Sequence, residues 1–228
     1  PAAWRRDLKG PRPSDELYGA FVSELRLANV RFADTRALLE TEQAGGGEAG
    51  MFPRLGRHWN ELEACIALRE AVAVGRALAP AVGLHETDCG GGRLVTPAYT
   101  DEEVDLWRLL NVWAAPPAVV VPRLPVVSRA AADDADLPTA LFVGSSFSWK
   151  LLFESERSHI FRTIHLYYYN KTVVDRAGTP SSYPVDPSSA GWRALTLSRD
   201  VYIVELSEWY LPLASADFFA QIDAAFPD

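Results

Sequence analysis

The stretch that most constrains the fold is Thr139–Ala140–Leu141–Phe142–Val143–Gly144–Ser145–Ser146–Phe147–Ser148–Trp149. An apolar run of strand character stops at a glycine, passes small polar residues, and leads into a helix-like segment, Trp149–Lys150–Leu151–Leu152–Phe153. In an α/β protein such a turn lies at the carboxyl edge of the sheet, where open sheets place their ligands. A serine there exposes its hydroxyl. The helix behind it offers free backbone N–H groups and a positive dipole end, which can hold a developing oxyanion. Ser146 is therefore the candidate nucleophile. A capped turn without chemistry has the same composition.

A strand feeding a helix implies neighbours of the same kind, and the chain supplies them. Residues 1–14 are a polar lead-in with Pro11 and Pro13, and Asp15 to Ala28 carries apolar residues at helical spacing. Val30–Arg31–Phe32–Ala33–Asp34 reads as a short strand, Thr35 to Gln43 as a further helical turn or two, and Gly45 to Gly50 as a loop. The clearest helix begins at Asn60, which with Glu63 fits a capping box, and runs to about Leu78 before Pro80. Residues 84–136 are an insertion or connection, with Asp101 to Trp113 expected as a helix and Val119 to Val127 as an extended pair around Pro122 and Pro125. Asp133, Asp134 and Asp136 read as a solvated acidic loop. Ile160–Tyr169 and Asp200–Leu206 are strand patterns, Gly178 to Gly191 a loop, and Ser215–Ala225 a closing helix. Strands alternating with helices indicate a single α/β domain over 1–228 with a mostly parallel sheet.

His58 stands just ahead of the Asn60 helix, between an aromatic residue and a cap. The helix dipole disfavours imidazolium there, which favours a neutral ring able to accept a proton.

Of 228 residues, the 22 basic ones are scattered and outnumbered by 30 acidic ones, giving a net charge of -8. Nucleic acid is thus a poor partner, since phosphate binding needs a basic patch. Two cysteines, Cys65 and Cys89, cannot build a CxxC-type metal site. They could pair in an oxidising compartment, and Cys65 could equally be a small buried apolar residue. Nothing in the sequence supports a metal or an organic cofactor. No run reaches the roughly 18 apolar residues of a membrane span. The chain opens at Pro1 without methionine, so an upstream export or membrane segment is expected to have been removed.

Taken together, Gly144–Ser145–Ser146–Phe147–Ser148 and the upstream His58–Trp59–Asn60 resemble the SGNH-hydrolase-like O-acetyltransferases of bacterial exopolysaccharide modification, the group that includes the alginate acetylation proteins. That family's blocks look like G-[T/D/S]-S-[F/Y]-S and D-x-H-W-[N/S/T], with the histidine before the serine. The resemblance covers roughly residues 15–220. It implies a three-layer SGNH-like fold and a periplasmic or otherwise extracytoplasmic location. It further implies transfer of an acetyl group through an acyl-enzyme on Ser146, with His58 as base and backbone donors at Ser146 and Gly144 for the oxyanion. The acceptor would be a glycan, and the acetyl donor would be supplied through a membrane-bound acyltransferase.

One departure stands out: Gly56 occupies the place of the family's aspartate, two residues before the histidine. Glu208, Asp34, Glu205 and Asp101 are the candidates to replace it. Trp209 and Tyr168 are candidate substrate-binding aromatics, able to stack on sugar faces, while Trp59 and Trp149 are better read as core. The alternatives are an acetyl esterase with the same residues and, because of Gly56, a non-catalytic glycan-binding homologue in an acetylation complex.

Overall fold

The computed structural model describes residues 13–44, 53, 55–90, 92–95, 101–110, 114, 121–125, 135–176, 181–207 and 215–225. Helix α1 (Pro13–Leu27) ends at Asn29, whose φ of 55° turns the chain out of the helix. Residues 30–34, expected as a strand, have no sheet partner among the described residues and form an irregular connection. Their alternating pattern serves a different end, because Asp34 accepts a hydrogen bond from the Ala37 N–H at the start of α2 (Thr35–Ala44).

Helix α3 (Glu61–Leu78) has the capping box that the sequence announces: the Asn60 side chain accepts from the Glu63 N–H, and the Glu63 carboxyl accepts from the Asn60 N–H. Helix α3 buries Ala64, Cys65, Ile66, Ala67, Leu68 and Val72. After a 3₁₀ turn at Pro80–Val82, Cys89 forms a disulfide with Cys65, tying α3 to the segment that follows it. Strand β2 (Val121–Arg123) lies in the stretch expected to be extended, but its antiparallel partner is β1 (Arg93–Val95), not a second strand around Pro125. Between them a 3₁₀ segment, Asp101–Val104, opens α4 (Asp105–Leu109).

Strand β3 (Thr139–Gly144) is the centre of the molecule. It runs parallel to β4 (Thr163–Tyr168) on one side and to β7 (Val201–Val204) on the other. Helix α5 (Ser148–Ser158) follows β3, and His159 ends it with a φ of 51°. Beyond β4 the sheet changes sense: β5 (Thr172–Asp175) and β6 (Ser181–Pro184) add antiparallel strands, giving the order β6-β5-β4-β3-β7. The parallel expectation therefore holds for the centre alone. The loop expected over 178–191 contains β6 and the start of α6 (Ala190–Leu197).

Both faces of β3 are covered, and its side chains alternate between them. Ala140 and Phe142 pack with Leu68, Leu151 and Leu152 of α3 and α5. Leu141 and Val143 pack with Trp192 of α6 and with Phe218 of α7 (Ser215–Ala225). A fully buried side chain of this size contributes roughly 1.5–3 kcal/mol. Such a strand has little freedom to shift, and the turn at its end inherits that rigidity. Among the described residues no helix is long and apolar enough to cross a membrane.

Candidate active site

Gly144 is the last residue of β3, and the backbone at that point has no room for a side chain. A Cβ there would lie 2.3 Å from Ser148 Oγ and 2.7 Å from Glu205 Oε2. Glu205 follows β7, and its Oε2 accepts from the Ser145 N–H at 2.7 Å, from Ser145 Oγ at 2.7 Å and from Ser148 Oγ at 3.2 Å. Burial pushes its carboxyl pKa up, and the three serine-derived hydrogen bonds oppose that shift. Ser145 and Ser148, the flanking serines, thus fasten the turn to the sheet, leaving Ser146 to face outward.

Across from it, His58 Nε2 lies 2.8 Å from Ser146 Oγ, joining residues 88 positions apart. The ring is buried, with Phe147 at a centroid distance of 5.0 Å. Phe147 also anchors Trp59, whose indole N–H donates to the Phe147 carbonyl at 3.0 Å and whose ring meets Phe147 edge-on. Phe147, next to Ser146, and Trp59, next to His58, therefore lock the two blocks together directly.

The other ring nitrogen, Nδ1, lies 2.9 Å from Asp105 Oδ2, within ion-pair distance. Asp105 Oδ1 accepts from the Arg57 N–H at 2.9 Å, and the Trp107 N–H donates to the Leu55 carbonyl at 3.1 Å. These bonds hold the start of α4 against the segment that carries His58. Ser146, His58 and Asp105 thus come from three separate stretches of chain.

The expected residues are distributed as follows. Ser146 and His58 are brought together, and no hydrogen bond engages the Ser146 N–H among the described residues. Gly144 lies at the turn, where its carbonyl accepts from the Tyr169 N–H. Asp34 is engaged elsewhere: both its oxygens accept from the Tyr18 hydroxyl, at 2.7 and 2.8 Å. Glu205 supports the serine turn and makes no contact with His58. Asp101 opens the 3₁₀ segment that leads to Asp105. Glu208 and Trp209 lie outside the described residues. Tyr168 closes β4 opposite Gly144, with its ring 5.8 Å from Trp149 and 4.4 Å from Tyr169; burial first, and then Tyr169, push its phenol pKa up.

Sequence reasoning missed two residues at this site. Asp105 is one of several acids in Asp101–Glu102–Glu103–Val104–Asp105, and no local signal sets it apart. Tyr169, whose hydroxyl is 3.4 Å from Ser146 Oγ, sits in a run of three tyrosines that reads as strand. Among the described residues no group of three or more His, Cys, Asp or Glu side chains is placed to hold a metal ion.

No protein-family model matches the chain, and no curated protein sequence does. Among solved structures, the O-acetyltransferase domain of Pseudomonas putida AlgJ aligns with a TM-score of 0.48 and 19% identity, over 96% of this chain and 76% of that one. A likeness of that degree carries no argument about activity.

Proposed function

We propose that the chain is a serine O-acetyltransferase, moving an acetyl group from an activated ester to a glycan hydroxyl. The observation that carries this reading is the 2.8 Å approach of His58 Nε2 to Ser146 Oγ at a strand-to-helix turn, with Asp105 at the ring's other nitrogen. The choice of acetyl group and glycan rests on the resemblance of the two sequence blocks to the exopolysaccharide acetyltransferases. An SGNH-like three-layer arrangement belongs to the same proposal, with the buried residues on both faces of β3 in its favour.

In the first half-reaction Ser146 Oγ attacks the acetyl carbonyl carbon while its proton passes to His58 Nε2. The carbonyl electrons move onto oxygen, where the Ser146 N–H is a donor. Collapse re-forms the carbonyl and breaks the bond to the donor's oxygen, which leaves with the proton from His58. In the second half the acceptor hydroxyl gives its proton to His58 and attacks the acetyl carbon; Ser146 Oγ then departs and takes that proton back. Asp105 favours the tautomer with hydrogen on Nδ1, so that Nε2 is free to accept, and it stabilises the imidazolium that forms at each step.

The non-catalytic alternative drew its force from Gly56, and a carboxylate at Nδ1 from another segment weakens it. An extracytoplasmic location is part of the proposal, supported by the Cys65–Cys89 disulfide, since such bonds persist in oxidising compartments. Tyr168 beside the serine turn is the described candidate for sugar stacking; a membrane-bound acyltransferase as acetyl source is proposed on the resemblance alone.

The test is intact-mass spectrometry after brief exposure to 4-nitrophenyl acetate. Wild type is expected to gain one acetyl group and Ser146→Ala none. Equal acetylation of both proteins would remove the proposal. Esterase and transferase separate in a second step, in which added glycan either captures the acetyl group ahead of water or fails to.

A further inference from the structure

The turn between β4 and β5 contains two consecutive residues with left-handed backbone, Tyr169 (φ 48°) and Asn170 (φ 54°). The connection is three residues long, Tyr169 to Lys171, and consecutive left-handed residues in such a turn are the province of Gly, Asn and Asp. Asn170 fits the preference. Tyr169 does not, and a bulky residue there carries backbone strain.

Such strain persists only where the surroundings over-determine it, and here they do. The Tyr169 N–H donates to the Gly144 carbonyl at 2.9 Å, and the Lys171 N–H closes the turn onto the Tyr168 carbonyl at 3.1 Å. The Tyr167 hydroxyl donates to the Asn170 carbonyl at 2.8 Å, and the Val185 N–H to the Lys171 carbonyl at 2.9 Å. Four bonds thus hold a disfavoured conformation in a turn that reaches the carboxyl end of β3. Its product is the placement of one phenol, 3.4 Å from Ser146 Oγ. That distance is long for a hydroxyl pair, as hydrogen bonds at unliganded sites often are before they tighten on substrate.

We propose that Tyr169 is a catalytic residue whose hydroxyl donates a hydrogen bond to Ser146 Oγ as that oxygen leaves the acetyl carbon. The inference rests on the acyl-enzyme reading above. During attack, a donor on Oγ restrains the nucleophile slightly. During departure, Oγ takes the electron pair of the breaking C–O bond, and the same donor stabilises the charge that builds there. Tyr169 keeps its own proton throughout, because the proton that Oγ finally receives comes from His58. The benefit therefore falls on deacylation, the half-reaction in which the acetyl group reaches its acceptor.

The experiment follows 4-nitrophenol release and the acetylated fraction by intact mass in wild type and Tyr169→Phe, with thermal melting to confirm that the ring still packs. The expected result is an unchanged initial burst, a steady-state rate lower by about tenfold, the worth of one hydrogen bond to a group gaining charge, and a larger acetylated fraction at steady state. A burst and steady-state rate both equal to those of wild type would overturn the proposal. So would a burst slowed in proportion to the steady state, which would put the hydroxyl in the attack step. Failure of wild type to acetylate at Ser146 would overturn the acyl-enzyme reading itself, and this inference with it.

Discussion

The serine half and the histidine half of the site are built by different means. On the serine side, the supports are tied to the sheet: β3 lies between two parallel neighbours, Ser145 and Ser148 are buried, and the half-buried Glu205 fastens both. The histidine side is assembled from a helix cap, an aromatic clasp and a carboxylate on the five-residue helix α4. The Asp105 side chain is 24% exposed and that of Arg57 60% exposed, whereas His58 itself is 8% exposed. Ser146 is thus held largely through backbone pairing, and His58 through side chains, of which Asp105 and Arg57 stand nearer water. Disturbance of the first should be read in stability, and disturbance of the second in rate and in the response to pH.

Three experiments press on this contrast. Asp105→Asn has the largest expected effect: a loss of acetylation rate on the order of 10²- to 10⁴-fold with melting little changed, the upper figure being that of serine proteases losing the same carboxylate. Stopped-flow release of 4-nitrophenol checks it. A loss smaller than about threefold would mean that the Asn60 cap and Phe147 position the ring unaided.

Gly144→Ala comes next and belongs to the serine half. Its methyl would meet Ser148 Oγ and Glu205 at distances that no Cβ tolerates, so a stability loss of about 3 kcal/mol is expected in urea unfolding. Stability matching wild type would show that the floor beneath the turn yields after all.

The smallest effect concerns pH. Burial pushes the Glu63 carboxyl up to about 8 from 4.5, Glu103 adds to the shift, and the Asn60 N–H opposes it. A folded-state pKa above the unfolded one means that the native protein binds the extra proton. The associated stability is therefore full below about pH 4.5 and is lost as the pH rises through about 8. Glu63→Gln keeps a capping acceptor without the charge, and should flatten the pH dependence over that window by roughly 1–2 kcal/mol relative to wild type. Parallel curves for the two proteins would place the pH dependence elsewhere.

The serine half was the more legible in sequence, for a physical reason. Its strand, glycine and helix are contiguous, so local pattern carries the information, and the Asn60–Glu63 capping box was legible for the same reason. Asp105 was not, because its partner lies in another segment and no periodicity records a contact across such a distance. Strand β6 escaped because a short Ser- and Pro-bearing segment reads as loop until an edge is there to pair with it, and the four residues of β5 are too few to stand out as a strand beside β4. Glu205 was singled out as a possible partner for His58 and turned out to serve the serines: strand ends bring acids to the site, and pattern alone does not say whom they meet. The strand expected over 30–34 failed in the opposite way, with alternation present and no neighbour among the described residues to use it.

The separations along the chain have a consequence for the protein's history as well as its chemistry. His58 meets Ser146 across 88 residues, Arg57 meets Asp105 across 48, and Ser145 meets Glu205 across 60. Each closure costs chain entropy that is recovered only when the intervening structure is in place. On the proposed mechanism, a nascent, nicked or half-refolded molecule holds the Ser146 hydroxyl without His58 and is silent. Turnover of a chromogenic ester would then report the last event of assembly, so that its reappearance during refolding should lag behind helix formation and coincide with completion of the central sheet.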